Sequence, residues 1–328
     1  MTVKADIVRV AVVQASPVFL DANASLEKAV RLIAEAASTG ASLAAFGEGW
    51  LPGYPIHALS TANSELWWEL AAAYLDQAVD LQNPLIDALC AAARSANIDV
   101  VIGLGEREPM TRGSVYSTLL FVGRDGQLIG RHRKTRPASH ERAVWADGDG
   151  IGLQAYDRGY ANLTGLTSTE HQMVLPTYAL AEQGTQIHVA SWPGCAPPSA
   201  TSSQTASAQH LLSRAFALQT GSYVLCAAST IARDDVPERY RDYLTQEFTG
   251  DSVIIDPYGE IIAGPATGES TIVADCSMAL LRAAKVAFDC AGHSSRRDLL
   301  KLSVEVEQDY EHADEPDLPQ GPDAAGEP

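Results

Sequence analysis

Apolar residues come in two rhythms along this chain. Residues 7–14 form a β-branched run of the kind that fills a strand buried on both faces. Leu26, Val30, Ile33, Ala34 and Ala37 then recur at helical spacing over 25–38, and Gly40 closes that helix. Residues 41–46 are again short and apolar. They run into Gly47-Glu48-Gly49-Trp50-Leu51-Pro52-Gly53-Tyr54-Pro55, so a strand delivers a carboxylate into a Gly/Pro-rich loop. Helices are predicted over 65–78 and 84–96, the second stopped by Asn97, and a buried strand over 98–104.

The runs 115–123 and 128–131 flank Arg124-Asp125-Gly126-Gln127, where Asp-Gly between apolar arms predicts a hairpin. Small and β-branched residues over 162–167 predict a buried strand, followed by a sharp turn and a helix over 173–183 that Gly184 stops. A strand over 185–193, a Ser/Thr/Pro-rich segment over 197–205 and an amphipathic helix to about Thr220 come next. Strands at 222–228, 252–255, 261–262 and 270–274, a turn at Asp256-Pro257-Tyr258-Gly259, and a helix over 278–288 complete the pattern. Alternating strands and helices without a dividing linker predict one α/β domain with helices on the outer faces of its sheets.

Composition narrows the function classes. The chain has 328 residues and a formal net charge of −18, which argues against nucleic acid or an anionic membrane as a partner. Lys and Arg are missing after Lys301. The acidic stretch 304–328 therefore reads as a tail outside the domain of residues 1–303, disordered from about Asp314. No apolar run reaches the roughly 18 residues of a membrane helix, and the N-terminus carries a strand pattern, so the expected compartment is the cytoplasm. The 5 cysteines lack metal-ligand spacing. Phosphate-loop, dinucleotide and zinc-protease motifs are absent too, so neither a metal nor a cofactor is expected.

Three candidate groups follow strands and could converge at one sheet edge: Glu48, Lys134 and Ser168. A carboxylate can take a proton from a nucleophile, an ammonium can stabilise a developing anion, and the N–H groups of a turn can add to that stabilisation. Each has a plainer reading as well. Glu48 could be a solvated loop charge, His132-Arg133-Lys134-Thr135-Arg136 a surface basic patch, and Ser168-Thr169-Glu170 an ordinary helix cap.

The spaced motifs carry a resemblance. Phe46-Gly47-Glu48-Gly49-Trp50-Leu51-Pro52-Gly53-Tyr54-Pro55 resembles the F-P-E-x-x-L-P-G-Y-P pattern of the nitrilase branch of the carbon-nitrogen hydrolase superfamily. His132-Arg133-Lys134, Pro137, Glu141-Arg142, Trp145 and Gly148-Asp149-Gly150 resemble its lysine motif. Val189-Ala190-Ser191-Trp192-Pro193 and the stretch 292–298 match further, and the likeness runs from Val10 to about Leu302. It implies an αββα sandwich that pairs into a four-layer αββα-αββα dimer and extends into spiral homo-oligomers. It also implies a small-molecule nitrile or amide as substrate.

By the same resemblance Glu48 would be the general base, Lys134 the stabiliser of a tetrahedral intermediate and Glu141 the glutamate that orients the lysine. Tyr54, Thr169, His171, Trp192 and Pro193 would face the substrate. The aromatics Trp50, Tyr54, Trp145 and Trp192 would suit an apolar or aromatic substituent, and packing is the commoner role for each. The family's cysteine nucleophile, in a C-W-E-H type motif, falls in register with Ser168-Thr169-Glu170-His171, so serine stands where a thiol is expected. An alcohol is far less acidic than a thiol, whose pKa is about 8.5. A serine normally needs a histidine base. His171 is a candidate for that role, and Cys195 is either a displaced nucleophile or a plain loop cysteine. Three readings follow: a hydrolase acting through Ser168, a non-covalent acid/base enzyme such as a hydratase or lyase, and a catalytically silent homologue that binds or co-assembles.

Overall fold

The computed structural model describes residues 6–60, 62, 64–194 and 207–305; Cys195 and the tail from residue 306 lie outside them. The first half runs β1 (Ile7–Gln14), α1 (Ala22–Ser38), β2 (Leu43–Ala45), α2 (Glu65–Gln77), α3 (Pro84–Ala96), β3 (Asp99–Arg107), β4 (Val115–Val122) and β5 (Leu128–Arg133). The second runs β6 (Tyr156–Asp157), β7 (Asn162–Thr167), α4 (Val174–Glu182), β8 (Ile187–Trp192), α5 (Ala208–Thr220), β9 (Tyr223–Ala228), β10 (Thr230–Ile231), β11 (Phe248–Thr249), β12 (Val253–Ile255), β13 (Ile261–Ala263), β14 (Ser270–Ser277) and α6 (Met278–Ala287). The two-residue strands β6, β10 and β11 are too short for an alternation signal, which is why the sequence pattern misses them.

Two six-stranded sheets form, in the orders β14-β1-β2-β3-β4-β5 and β13-β12-β9-β8-β7-β6. Each has three parallel strands at its centre, β1-β2-β3 and β7-β8-β9, with antiparallel strands outside. Parallel strands are covered on both faces, and the side chains divide accordingly. Val10 and Val12 of β1 join Leu119, Phe121, Leu163, Val189 and Leu225 between the sheets. Ala11 and Val13 instead meet Leu26 and Ile33 of α1 and Ile86 and Leu89 of α3. On the far side Leu166 and Ala190 pack with Leu180 of α4 and Phe216 of α5. This is the expected αββα layering.

Caps fix the helix ends. Asp21 accepts from Ala24 N–H ahead of α1, Asn83 from Leu85 N–H ahead of α3, and Asn97 ends α3 in the left-handed conformation. The expected cap after β7 is shifted. Thr167 takes that role, in a reciprocal pair with Glu170, and it caps a 3-10 turn (Ser168–Gln172) that stands between β7 and α4.

Candidate active site

Glu48, Lys134 and Glu141 meet in one buried cluster. Lys134, directly after β5, donates from Nζ to Glu48 Oε1 at 2.9 Å and to Glu141 Oε2 at 2.7 Å. Its backbone N–H is fixed on Ser117 O of β4 at 2.7 Å. Ser117 Oγ donates to Glu48 Oε1 at 2.8 Å, and Tyr54 OH donates to Glu141 Oε1 at 2.9 Å. Ala138 N–H adds a bond to Glu141 Oε2 at 2.7 Å. Glu48 Oε2 alone has no partner.

Glycines set the position of Glu48. A Cβ on Gly103 of β3 would lie 2.5 Å from Gly47 O and 2.7 Å from Glu48 Cα, and one on Gly47 would lie 2.8 Å from Trp192 O. These are backbone contacts that cannot move aside. Two bare backbones thus clamp the Glu48 loop between the sheets, and Glu48 N–H donates to Trp192 O at 2.9 Å.

The electrostatics follow from two carboxylates around one ammonium in a dry site. Burial pushes Glu48 up to about 7, against the pull of Lys134 and with the added repulsion of Glu141. Burial would lower Lys134, but Glu48 and Glu141 carry it above its ordinary value. Tyr54 is raised well above its usual range by burial and by Glu141 and Glu48, so its proton stays on the oxygen that donates to Glu141. The ammonium is therefore permanent, and Glu48 is the member that can gain and lose a proton near neutrality.

The cluster meets a cavity of about 320 Å³ through Glu141; the wall also includes Tyr54, Ser168, Thr169, Trp192 and Pro193, and Glu48 and Lys134 lie buried behind it. Ser168 is the first residue of its 3-10 turn and holds φ at 43°, a left-handed value that is uncommon for a residue with a side chain and is found at functional turns. Glu170 ties this turn to the lysine loop. Its carboxylate accepts from Thr135 N–H and Oγ1 (2.8 and 2.7 Å), from Thr167 N–H and Oγ1 (2.9 and 3.0 Å), and from His132 Nε2 (2.8 Å). Burial alone would raise Glu170; His132 and the backbone N–H groups of Thr167 and Thr135 hold it far below the usual carboxylate range.

The remaining candidates separate. His171 is not part of the cavity wall. It is turned inward, stacked on Trp192, with Nε2 at 3.0 Å from His188 Nε2. Trp50 is fully buried against Phe46, its Nε1 on Ser25 O, and Trp145 lies under Lys134 with its ring centroid 5.5 Å from Nζ. The basic run is no free patch. Arg133 is paired with Glu106 and Asp149, and Arg131 with Asp149. Sequence reasoning missed Ser117, His140 and Phe248. His140 stands beside Glu141 on the cavity wall, 3.2 Å from Tyr54 OH, and Phe248 packs edge-on against Tyr54. Adjacency to Glu141 could have flagged His140; nothing in the sequence pattern marks Phe248. Among the described residues no His/Cys/Asp/Glu group suits a metal ion, and no helix is long and apolar enough to cross a membrane.

Comparison with known proteins bears on the family and the fold. The carbon-nitrogen hydrolase family model matches residues 9–286. A protein named Nitrilase 2, from an unknown prokaryotic organism, is 45% identical over 300 residues, covering 91% of this chain and 92% of its own. An aliphatic nitrilase of Rhodococcus rhodochrous is 35% identical, covering 90% and 82%. Among solved structures, Saccharomyces cerevisiae Nit3, a member of branch 10 of the nitrilase superfamily, superposes with a TM-score of 0.69 at 20% identity, covering 90% of this chain and 98% of that one.

Proposed function

We propose, for a chain that belongs to the carbon-nitrogen hydrolase family, that it hydrolyses a small nitrile or amide with Ser168 as the nucleophile. The observation that carries this reading is the buried Glu48–Lys134–Glu141 cluster set against a cavity whose wall includes Ser168 at positive φ. Glu48 takes the Ser168 hydroxyl proton as the oxygen attacks the nitrile or carbonyl carbon. For an amide it returns that proton to the nitrogen, which leaves. For a nitrile it returns it to the imidate nitrogen, and a first water then adds to the imidate carbon before the nitrogen leaves as ammonia, so both routes arrive at the acyl-serine. Lys134 and the Thr169 N–H, a first-turn donor without an intrahelical acceptor, stabilise the negative charge that develops on the substrate. Water repeats the attack on the acyl-serine, Glu48 again taking the proton, and releases the carboxylic acid.

The test is ammonia release from a panel of nitriles and amides. Wild type should release it, and Ser168→Ala and Glu48→Gln should not. Release that persists in Ser168→Ala would remove serine from the mechanism.

One observation favours a second reading. The ring nitrogens of His171 are taken up by Ser168 O and His188, so His171 is not the base for the Ser168 hydroxyl; Glu48 could instead activate water directly, without a covalent intermediate. Intact mass during turnover separates the two, because an acyl adduct on Ser168 belongs to the first reading alone. Val174 and Leu175 of α4, 74% and 64% exposed at adjacent positions, support a homo-oligomer of the kind the resemblance implies.

A further inference from the structure

Behind the nucleophile turn lies a hydrogen-bonded chain that the proposed chemistry does not use. His171 Nδ1 is 2.8 Å from Ser168 O, His171 Nε2 is 3.0 Å from His188 Nε2, and His188 Nδ1 is 2.9 Å from Thr164 Oγ1. All three side chains are buried, and the rings are clamped by aromatic neighbours: His171 on Trp192, His188 on Phe216 with centroids 3.7 Å apart. Burial lowers both rings, His171 to about 4, so both are neutral near pH 7.

Neutral rings allow one proton arrangement. A carbonyl oxygen only accepts, so His171 Nδ1 carries the hydrogen and its Nε2 is an acceptor. His188 must then donate from Nε2, and its bare Nδ1 accepts the single Thr164 hydroxyl proton at 2.9 Å in preference to Thr185 Oγ1, which is 3.3 Å away. The chain is directional: Thr164 to His188, His188 to His171, His171 to the Ser168 carbonyl.

The consequence lies in the peptide between Ser168 and Thr169. In a trans peptide C=O and N–H point in opposite directions. Ser168 O is held toward His171, outside the cavity wall, so the Thr169 N–H is aimed the other way, where Ser168 and Thr169 line the cavity. We propose that His171, His188 and Thr164 are positioning residues, a buried relay that locks the 168–169 peptide so that Thr169 N–H faces the reacting atom. This rests on the hydrolytic reading above for its kinetic consequence, though the proton arrangement stands without it.

The experiment pairs kinetics with nitrogen NMR of the histidine rings. Asparagine places its amide nitrogen near the position of an imidazole Nδ1, so His171→Asn keeps a donor for Ser168 O, whereas His171→Leu removes it. The expected result is a loss in kcat of about a hundredfold for His171→Leu, the scale of a small misplacement of a reacting group. KM should stay within about twofold, since the cavity wall is untouched, and His171→Asn should recover most of the rate. His188→Phe, which keeps the stack on Phe216 but removes the donor, should lower kcat and shift the His171 Nε2 resonance. Equal losses in His171→Leu and His171→Asn would reduce the relay to packing and overturn the proposal. If wild type hydrolyses nothing on the panel, the hydrolytic reading fails by itself, and the ring resonances still decide: a hydrogen on His171 Nδ1 and none on Nε2 supports the relay, and the opposite tautomer refutes it.

Discussion

The Glu170 carboxylate holds Thr135 by its backbone N–H and its hydroxyl at 2.8 and 2.7 Å, while its other oxygen holds Thr167. Thr135 follows Lys134 and Thr167 precedes Ser168, so one side chain fixes the spacing of the ammonium and the nucleophile. Glu170→Gln would leave several of these buried donors without an anion, and removing one partner of a buried charged network costs about 3–5 kcal/mol. Denaturant unfolding should show that loss. An unchanged midpoint would mean that the turn is held by other contacts.

Glu48 is pushed up to about 7, chiefly by burial. A general base works only when deprotonated, so kcat/KM should rise as pH increases through about 7 and level off above it. Lys134→Met removes the nearest cation, which moves this ascending limb to higher pH and, with the anion stabiliser gone, lowers the rate by at least about a hundredfold. A profile flat between pH 5 and 9 would argue against Glu48 as the base.

Ser168→Cys places a far more acidic nucleophile on the same strained turn. If the Glu48–Lys134–Glu141 cluster is competent, nitrile hydrolysis should rise by about tenfold or more. No gain would show that the turn has been reshaped around an alcohol.

Much of this was legible in the sequence because each signal was local. The strand–loop positions of Glu48 and Lys134, the stops at Gly40, Asn97 and Gly184, and the hairpin at Asp125-Gly126 depend on near neighbours in the chain. The role of Glu170 was not legible as more than part of a cap, because its partners Thr135 and His132 come from the other sheet. His171, expected at the substrate or as a base, turns away because its direction is set by His188, on the next strand. Trp50 shows the converse, since an aromatic beside Glu48 reads as pocket but packs on Phe46 in the core.

His57 offers a stability test away from the site. It is fully buried between Trp67 and Tyr74 with neither ring nitrogen partnered, and burial lowers it from 6.5 to about 4. A depressed histidine is neutral in the folded state while the unfolded chain takes up a proton. Its contribution is fully present above pH 6.5 and is lost as pH falls toward 4. His57→Phe removes two unsatisfied polar atoms and should stabilise the protein by about 1–2 kcal/mol at pH 7. Its advantage over wild type should widen on acidification. Equal acid sensitivity of the two proteins would place the titration elsewhere.

Glu48 and Lys134 hang from β2 and β5 of one sheet, and Ser168 from β7 of the other. The reacting groups are therefore halves of a hinge-like seam, joined across the two sheets by a few buried contacts such as Glu170 to Thr135 and Glu48 N–H to Trp192 O. Gly165, three residues before Ser168, lies so close to the opposite sheet that an added Cβ would come within 2.5 Å of Leu119 Cδ2. A slight sliding or spreading of the layers would leave every strand intact and still part the base from its nucleophile, so catalysis should fail on heating before the secondary structure melts.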